Sequence, residues 1–168
     1  TQVSYDDVGN HLTTTDARQQ ATTFAYDARN LLITIVDAAN GLTRFEYDAN
    51  GNRSKVIDPN NHATTTEYDA LNRPTRIIDA NGSSVRYEYD AIGNRTKVID
   101  SAGSEVVTEY DELNRPIRIV DGQQRATQFG YDAAGNRTTI IDPLNRTTSY
   151  GYDELNRLTS VTDAANQT

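Results

Sequence analysis

The pair Tyr-Asp recurs along this chain with a constant 21-residue period, and this repeat constrains the fold more than any other feature. The repeat tyrosines are Tyr5, Tyr26, Tyr47, Tyr68, Tyr89, Tyr110, Tyr131 and Tyr152. A second aspartate follows each tyrosine at a fixed distance, as Asp58 follows Tyr47 and Asp100 follows Tyr89. A repeat array has no single central core, because each unit packs mainly on its neighbours. We therefore expect residues 1–168 to form one array rather than an ordinary globular domain.

Each repeat contains two short segments that favour β-strands. Segments such as TKVID (96–100) and VVTEYD (106–111) are rich in β-branched and aromatic residues, and Gly, Asn, Asp and Pro lie between such segments. Two strands and two turns in one repeat leave about five residues for each strand, which is a common length. No segment sustains the 3.6-residue period of an amphipathic helix. The sequence therefore predicts an all-β array of eight antiparallel hairpins.

The repeats alternate between two kinds of turn. Odd repeats turn through Gly-Asn, as in YDANGNR (47–53), whereas even repeats turn through Leu-Asn-Arg, as in YDALNRP (68–74). Glycine and asparagine both tolerate the positive φ that a tight turn requires. The larger unit is therefore a 42-residue double repeat, and the chain contains four of these units.

Charges before and after each Tyr-Asp turn predict the register of the hairpins. Where the residue before a repeat tyrosine is glutamate, the residue nine places later is lysine or arginine, and neutral residues are matched by neutral ones. The charged pairs are Glu46 with Lys55, Glu67 with Arg76, Glu88 with Lys97, and Glu109 with Arg118. Opposite charges that face each other across antiparallel strands explain this match. The same register predicts a four-residue loop in each hairpin, and each exposed pair contributes roughly 0–1 kcal/mol.

This register separates the residues into two faces of a sheet. One face, here called the aromatic face, pairs Phe45 with Val56 and Tyr87 with Val98, and it also carries the repeat tyrosines. The other, the charged face, carries the glutamate pairs beside an aliphatic row that includes Ile57. Hydrophobic residues make up only 36% of the chain, which favours a thin, solvated sheet over a thick core. Because wide sheets twist and coil, we expect a spiralling, hollow tube- or shell-like sheet.

The repeated phrase resembles the Rhs/YD-repeat family. Tyr-Asp, then Gly-Asn-Arg, then Asp eleven places after the tyrosine is typical of bacterial Rhs proteins, shells of insecticidal toxin complexes, wall-associated proteins and teneurins. The resemblance implies a long β-sheet strip wound into a hollow shell, which encloses a toxic domain in the toxin-bearing members. The Asp-Pro-x-Gly-Leu motif that ends such shells is missing, since DPNNH (58–62) and DPLNR (142–146) lack the Gly-Leu.

No pattern in the sequence indicates an enzyme. The chain lacks G-x-S-x-G, H-E-x-x-H and P-loop motifs, and we expect no catalytic residue and no cofactor. The chain has no cysteine, and His11 and His62 lie in non-equivalent repeats, where we expect solvated turn residues. The many aspartates match no calcium motif, and hydrogen bonds to turn amides account for them, so we expect no metal.

The sequence predicts a non-catalytic structural segment of a secreted or cell-surface protein. We expect further copies of the array as partners, end to end or stacked. The resemblance adds two candidate partners, glycans and an enclosed toxin domain elsewhere in the parent chain. One alternative is a glycan-binding or adhesive module that uses the tyrosine row, and another is the wall of a toxin-enclosing shell. The net charge of −8 disfavours nucleic acid, and the lack of a long apolar run disfavours membrane insertion. Both termini keep the repeat phase, so we expect a segment of a longer array.

Overall fold

The computed structural model describes residues 1–164, and their regular structure consists of strands joined by short turns. Each repeat contributes two strands. The strands are β1 Gln2–Tyr5, β2 His11–Thr15, β3 Ala21–Tyr26, β4 Leu32–Val36, β5 Leu42–Tyr47, β6 Arg53–Ile57, β7 Ala63–Tyr68, β8 Pro74–Ile78, β9 Ser84–Tyr89, β10 Arg95–Ile99, β11 Glu105–Tyr110, β12 Pro116–Val120, β13 Ala126–Tyr131, β14 Arg137–Ile141, β15 Thr147–Tyr152 and β16 Leu158–Thr162.

The strands fall into two compact units, Thr1–Val85 and Arg86–Thr168, whose border lies inside β9. In the first unit β1 to β8 lie side by side in chain order, and each is antiparallel to the next. In the second unit β9 to β16 follow the same rule. The predicted all-β array of antiparallel hairpins is confirmed.

The predicted strand register is also confirmed along most of each hairpin. Glu46 lies opposite Lys55 and Phe45 lies opposite Val56, as the charge pattern predicts. The other predicted charge pairs lie in the same register, Glu67 opposite Arg76, Glu88 opposite Lys97 and Glu109 opposite Arg118. The matching of glutamate with lysine or arginine in the sequence was therefore sufficient to align these strands.

The predicted loop of four residues is wrong by one residue. The amide of Asp48 donates to the carbonyl of Asn52 at 2.9 Å, and Gly51 donates to the carbonyl of Asp48 at 3.2 Å, so the loop contains three residues. Tyr47 then pairs with Arg53, which leaves Ser54 as the extra residue of a β-bulge. The bulge is needed because a three-residue loop alone would place Glu46 opposite Ser54 rather than Lys55. The register shifts before the repeat tyrosine in every hairpin of this kind.

The second turn of each repeat has the same geometry without the bulge. The backbone amide of Asp100 donates to the carbonyl of Ser104, and the amide of Gly103 donates to the carbonyl of Asp100, both at 3.0 Å. Gly103 has a φ of 82°. This is the three-residue hairpin connection in which a left-handed residue follows a type I turn. The left-handed residues are Gly9, Asn30, Gly51, Asn72, Gly93, Asn114, Gly135 and Asn156 in the Tyr-Asp turns, and Gln19, Asn40, Asn61, Gly82, Gly103, Gln124 and Asn145 in the others.

The described part of the sheet has no buried core. Among residues 1–164 no residue, apolar or polar, is buried, and most strand residues are half-buried. The predicted thin, solvated sheet is therefore confirmed. The same residues include no helix with the length and apolarity needed to cross a membrane. Because these residues form no second layer, each hairpin is stabilised mainly by the strands on its two sides.

We expect the substitution Gly103→Ala to lower the free energy of unfolding by about 1 kcal/mol, because an alanine Cβ is strained at positive φ. Open space surrounds the position where a Cβ would lie, so backbone strain is the only expected cost. Gly103→Asn is the matched control and should remain close to the unchanged protein, since asparagine occupies the same place in other turns. Urea unfolding followed by circular dichroism measures both. Equal losses for Ala and Asn would contradict this explanation.

Candidate functional site, the tyrosine–aspartate edge

The Tyr-Asp turns of each unit line one edge of its strands, here called the tyrosine–aspartate edge, and each aspartate caps its own turn. Asp48 Oδ1 accepts hydrogen bonds from the backbone amides of Asn50 and Asn52, at 2.9 and 2.8 Å. Its Oδ2 accepts a third hydrogen bond, from Asn52 Nδ2 at 2.9 Å. In even repeats an arginine takes this last place, as Arg115 Nε does on Asp111 Oδ2 at 2.8 Å. Aspartate is required here because its carboxylate reaches both turn amides and one side chain at once.

These hydrogen bonds stabilise the charged form of the aspartates. The pKa of Asp48 is held below its ordinary value first by the Asn52 side chain and also by turn amides, while partial desolvation opposes the shift. The pKa of Asp111 is lowered mainly by the hydrogen bond from the Arg115 side chain. The pKa is lowered in all the aspartates of this edge, Asp6, Asp27, Asp48, Asp69, Asp90, Asp111, Asp132 and Asp153.

The repeat tyrosines join one hairpin to the hairpin before it. The backbone pairing of β12 with β13 ends at Arg118 and Gln128, three residues before Tyr131. Beyond that point the Tyr131 hydroxyl donates to the carbonyl of Pro116, at the start of β12, at 2.9 Å. Equivalent hydrogen bonds link Tyr47 to Leu32, Tyr68 to Arg53, Tyr110 to Arg95, and Tyr152 to Arg137, at 2.8 to 3.1 Å. The tyrosine hydroxyl therefore replaces backbone hydrogen bonds where the ladder between hairpins stops.

Further side chains link odd repeats to even repeats. Asn94 Nδ2 donates both to Asp90 in its own turn and to Asn114 Oδ1 in the next Tyr-Asp turn, each at 3.0 Å. The same link joins Asn10 to Asn30, Asn52 to Asn72, and Asn136 to Asn156. From even to odd, the guanidinium of Arg115 lies over the ring of Tyr131, 4.4 Å from its centroid. The 42-residue period therefore has a structural cause: the two kinds of turn supply different halves of these contacts.

The predicted charge pairs form at three of the four positions. The distances are 3.6 Å for Glu46 with Lys55, 3.8 Å for Glu67 with Arg76, and 2.7 Å for Glu109 with Arg118. Their side chains are 36–56% exposed, so each pair contributes little to stability.

The predicted register of Lys97 is correct, but the predicted ion pair with Glu88 is wrong. Lys97 lies opposite Glu88 in the strand pair, but its ammonium instead forms an ion pair with Glu105 at 3.1 Å. Glu105 is on β11, the strand on the other side of β10, and the sequence pattern used for register considered only one of the two neighbours.

The histidines are placed differently from each other. His62 closes a turn and contacts Asp58 at 3.1 Å, as expected of an exposed turn residue. His11 lies in β2 rather than in a turn, and its ring stands between Tyr5 and Phe24, with centroid distances of 5.6 and 4.5 Å. The expectation of a solvated turn residue is therefore wrong for His11. Within residues 1–164 no group of three His, Asp or Glu side chains has the geometry to hold a metal ion.

Comparison with known proteins agrees with this geometry. A family model described as Teneurin YD-shell matches residues 2–168. The chain belongs to the teneurin YD-shell family. Among solved structures, this YD-shell chain is similar to the Tc holotoxin pore of Photorhabdus luminescens carrying TccC3-D651A, with 20% identity, a TM-score of 0.76, and coverage of 94% of this chain and 10% of that one. It is also similar to a TcdB2-TccC3 crystal structure, with 19% identity, a TM-score of 0.78, and coverage of 96% and 10%.

These matches identify the fold and the structural class of the YD-shell chain. It spans about a tenth of the length of the matched toxin-complex chains. Comparison with curated protein sequences gives no significant match. The resemblance to the Rhs/YD-repeat family is confirmed. The match to a YD-shell family model agrees with the expected role as a structural segment of a shell.

We expect Tyr131→Phe to lower the free energy of unfolding by about 0.5–1.5 kcal/mol, because it removes one hydroxyl-to-carbonyl hydrogen bond. Tyr150→Phe is the matched control. The guanidinium of Arg137 also stacks on the Tyr150 ring, 5.4 Å from its centroid, but among the described residues the Tyr150 hydroxyl has no hydrogen-bond partner. Equilibrium unfolding in urea measures the difference between the two variants. If both lose the same stability, the hydroxyl bond to Pro116 has no special role.

We expect the stability of the YD-shell chain to fall as the pH drops below about 4, the ordinary range of an aspartate pKa. The folded pKa of the edge aspartates is lowered, so the unfolded chain binds more protons in this range, and protonation favours unfolding. The stability contributed by these carboxylates is complete above the unfolded pKa and is lost as the pH falls through the folded pKa. Thermal unfolding between about pH 6 and about pH 2 measures this loss.

The loss should persist in about 1 M salt, where long-range charge effects are screened but short hydrogen bonds remain. A melting temperature that is constant or rises on acidification would contradict the proposed role of the aspartates.

Proposed function

We propose that this chain is a non-catalytic wall segment of a hollow shell carried by a secreted or cell-surface protein. The single-layer sheet, with no buried core in residues 1–164, supports the proposal most directly. A sheet without a core of its own is suited to form the wall of a shell rather than a solid domain. Tyrosine hydroxyl bonds between neighbouring hairpins recur at Tyr47, Tyr68, Tyr110, Tyr131 and Tyr152, so the array can be extended without changing its local structure.

The proposal includes the organisation of the chain as one array over residues 1–168. Although its contacts group into two compact units, the border at Val85 and Arg86 falls inside a strand and inside a repeat rather than in a linker. The repeat tyrosines and the charge pairs are structural residues in this proposal. The tyrosines join neighbouring hairpins, and the charge pairs maintain register on the charged face.

Further array segments are the proposed partners, with an enclosed toxic domain as an additional partner in the parent protein. Matches to TcdB2-TccC3 structures support a toxin-related setting for the fold. An enzymatic role has no support in the site, since the edge aspartates are engaged in capping their own turns.

Electron microscopy of the parent protein at its native length tests the proposal. We expect hollow particles whose wall is one sheet thick and contains the Tyr-Asp repeats. The control is the same protein without residues 1–168, which should give an incomplete or smaller shell. A solid particle with the repeats as a separate arm would overturn the proposal, and so would a hollow particle unaffected by the deletion.

A further inference from the structure

The tripeptide Ala-Asn-Gly occurs three times in the chain, and each copy lies in a turn. The asparagines are Asn40, Asn50 and Asn81, and all three are exposed. Asn50 belongs to a Tyr-Asp turn, whereas Asn40 and Asn81 lie in turns of the other kind. Because the three local sequences are identical, any difference in the reactivity of these asparagines must come from the fold.

An Asn-Gly pair permits deamidation through a cyclic imide, because glycine has no side chain to crowd its own nitrogen. The glycine nitrogen loses its proton to a base in solution and attacks the asparagine Cγ, which forms a new N–Cγ bond. The Cγ–Nδ2 bond breaks, and Nδ2 takes up a proton and leaves as ammonia. Water then opens the ring, at Cγ to give aspartate or at the backbone carbonyl to give isoaspartate. The overall reaction exchanges ammonia for water and needs neither an oxidant nor an enzyme.

The turn at Asn40 hinders this reaction at the attacking nitrogen. The amide of Gly41 donates to Asp37 Oδ1 at 2.8 Å. Loss of the amide proton would place a negative charge beside the carboxylate, so this nitrogen is harder to activate. The carboxylate also leaves little room around the glycine, since a Cβ added to Gly41 would lie 2.6 Å from Asp37 Oδ2.

The turn at Asn50 restrains the side chain that would be attacked. Asn50 Nδ2 donates to Asn72 Oδ1 in the next Tyr-Asp turn, at 3.1 Å. The side chain must give up this hydrogen bond before its Cγ can reach the glycine nitrogen. Gly51 itself is half-buried beside Leu31, whose Cδ1 would lie 3.9 Å from an added Cβ. Both partners of the new bond are therefore held in place.

Neither restraint is present at Asn81. The turn has the same backbone hydrogen bonds as the turn at Asn50, and the amide of Gly82 donates to a neutral acceptor, the carbonyl of Asp79, at 3.0 Å. Among the described residues the Asn81 side chain has no hydrogen-bond partner. A Cβ added to Gly82 would meet no atom within 4 Å. The Asn81 side chain is therefore free to turn towards the nitrogen of an exposed glycine.

We propose that Asn81 is a site of spontaneous deamidation and that the fold protects Asn40 and Asn50 from the same reaction. The modification changes the turn between β8 and β9, because isoaspartate carries the main chain through its β-carbon and lengthens the loop. Asp79 Oδ1 caps this turn through the amides of Asn81 and Ser83, both at 2.9 Å, and the longer backbone cannot keep both bonds. Deamidation therefore loosens this turn, and it does so independently of the wall function.

Peptide mapping by mass spectrometry, after incubation of the folded chain at mildly alkaline pH, measures the deamidation rate at each site. We expect Asn81 to react about fivefold faster than Asn50, the factor of one net hydrogen bond, and about tenfold or more faster than Asn40. Incubation in urea is the control, and there the three identical tripeptides should react at similar rates. Equal rates in the folded chain would overturn the proposal, and so would an Asn81 that reacts more slowly than either of the others.

The substitution Asn72→Gly tests the protection of Asn50 separately. It removes the acceptor of the Asn50 side chain, and glycine accepts the positive φ of 61° at this position. The rate at Asn50 should rise about fivefold, while the rate at Asn81 stays unchanged. Asn114→Gly is the matched control, because it removes the equivalent acceptor of Asn94 and should leave Asn50 unchanged. A rate at Asn50 that rises equally in both variants, or in neither, would contradict protection by Asn72. Circular dichroism confirms that both variants keep their β-sheet.

Discussion

The absence of a second layer over residues 1–164 is the constraint on which the rest of this structure depends. With no buried residue among these positions, a hairpin cannot be stabilised by a core and must obtain its stability from the strands beside it. Backbone pairing supplies part of this stability but stops short at the tyrosine–aspartate edge, as it does between β12 and β13. The hydroxyls of Tyr47, Tyr68, Tyr110, Tyr131 and Tyr152 make the missing connection there, which phenylalanine could not do.

The aspartate that follows each repeat tyrosine stabilises the turn itself. It satisfies the amides of a three-residue turn and one side chain from the residue that closes the turn, so the tip of each hairpin is fixed without contacts from another layer. Alternation between glycine and asparagine at the left-handed position then creates a difference between repeats. Asparagine in the even turn accepts a hydrogen bond from the odd turn, and arginine in the even turn contacts the next tyrosine. Two repeats are thus the smallest unit that carries a full set of lateral contacts.

The faces of the sheet serve different purposes although neither is buried. Paired charges on the charged face align the strands and are solvated, whereas Arg95 and Arg137 on the aromatic face stack on tyrosine rings. A single-layer sheet with two unlike faces presents a different chemistry on each side. This difference follows from alternation along a strand and requires no additional domain.

The sequence by itself determined the features that depend on neighbours along the chain. It determined the hairpins, their order, the positions of turns, the alternation of repeats and the register of Glu46 with Lys55, because each follows from periodic spacing or from local turn chemistry. Only the tertiary structure decided the β-bulge at Ser54, the partner of Lys97, and the placement of His11 between two rings. A strand has a neighbour on each side, and which of them a side chain contacts depends on distances between hairpins. Those distances are set by the turns and bulges together, and no single repeat contains that information.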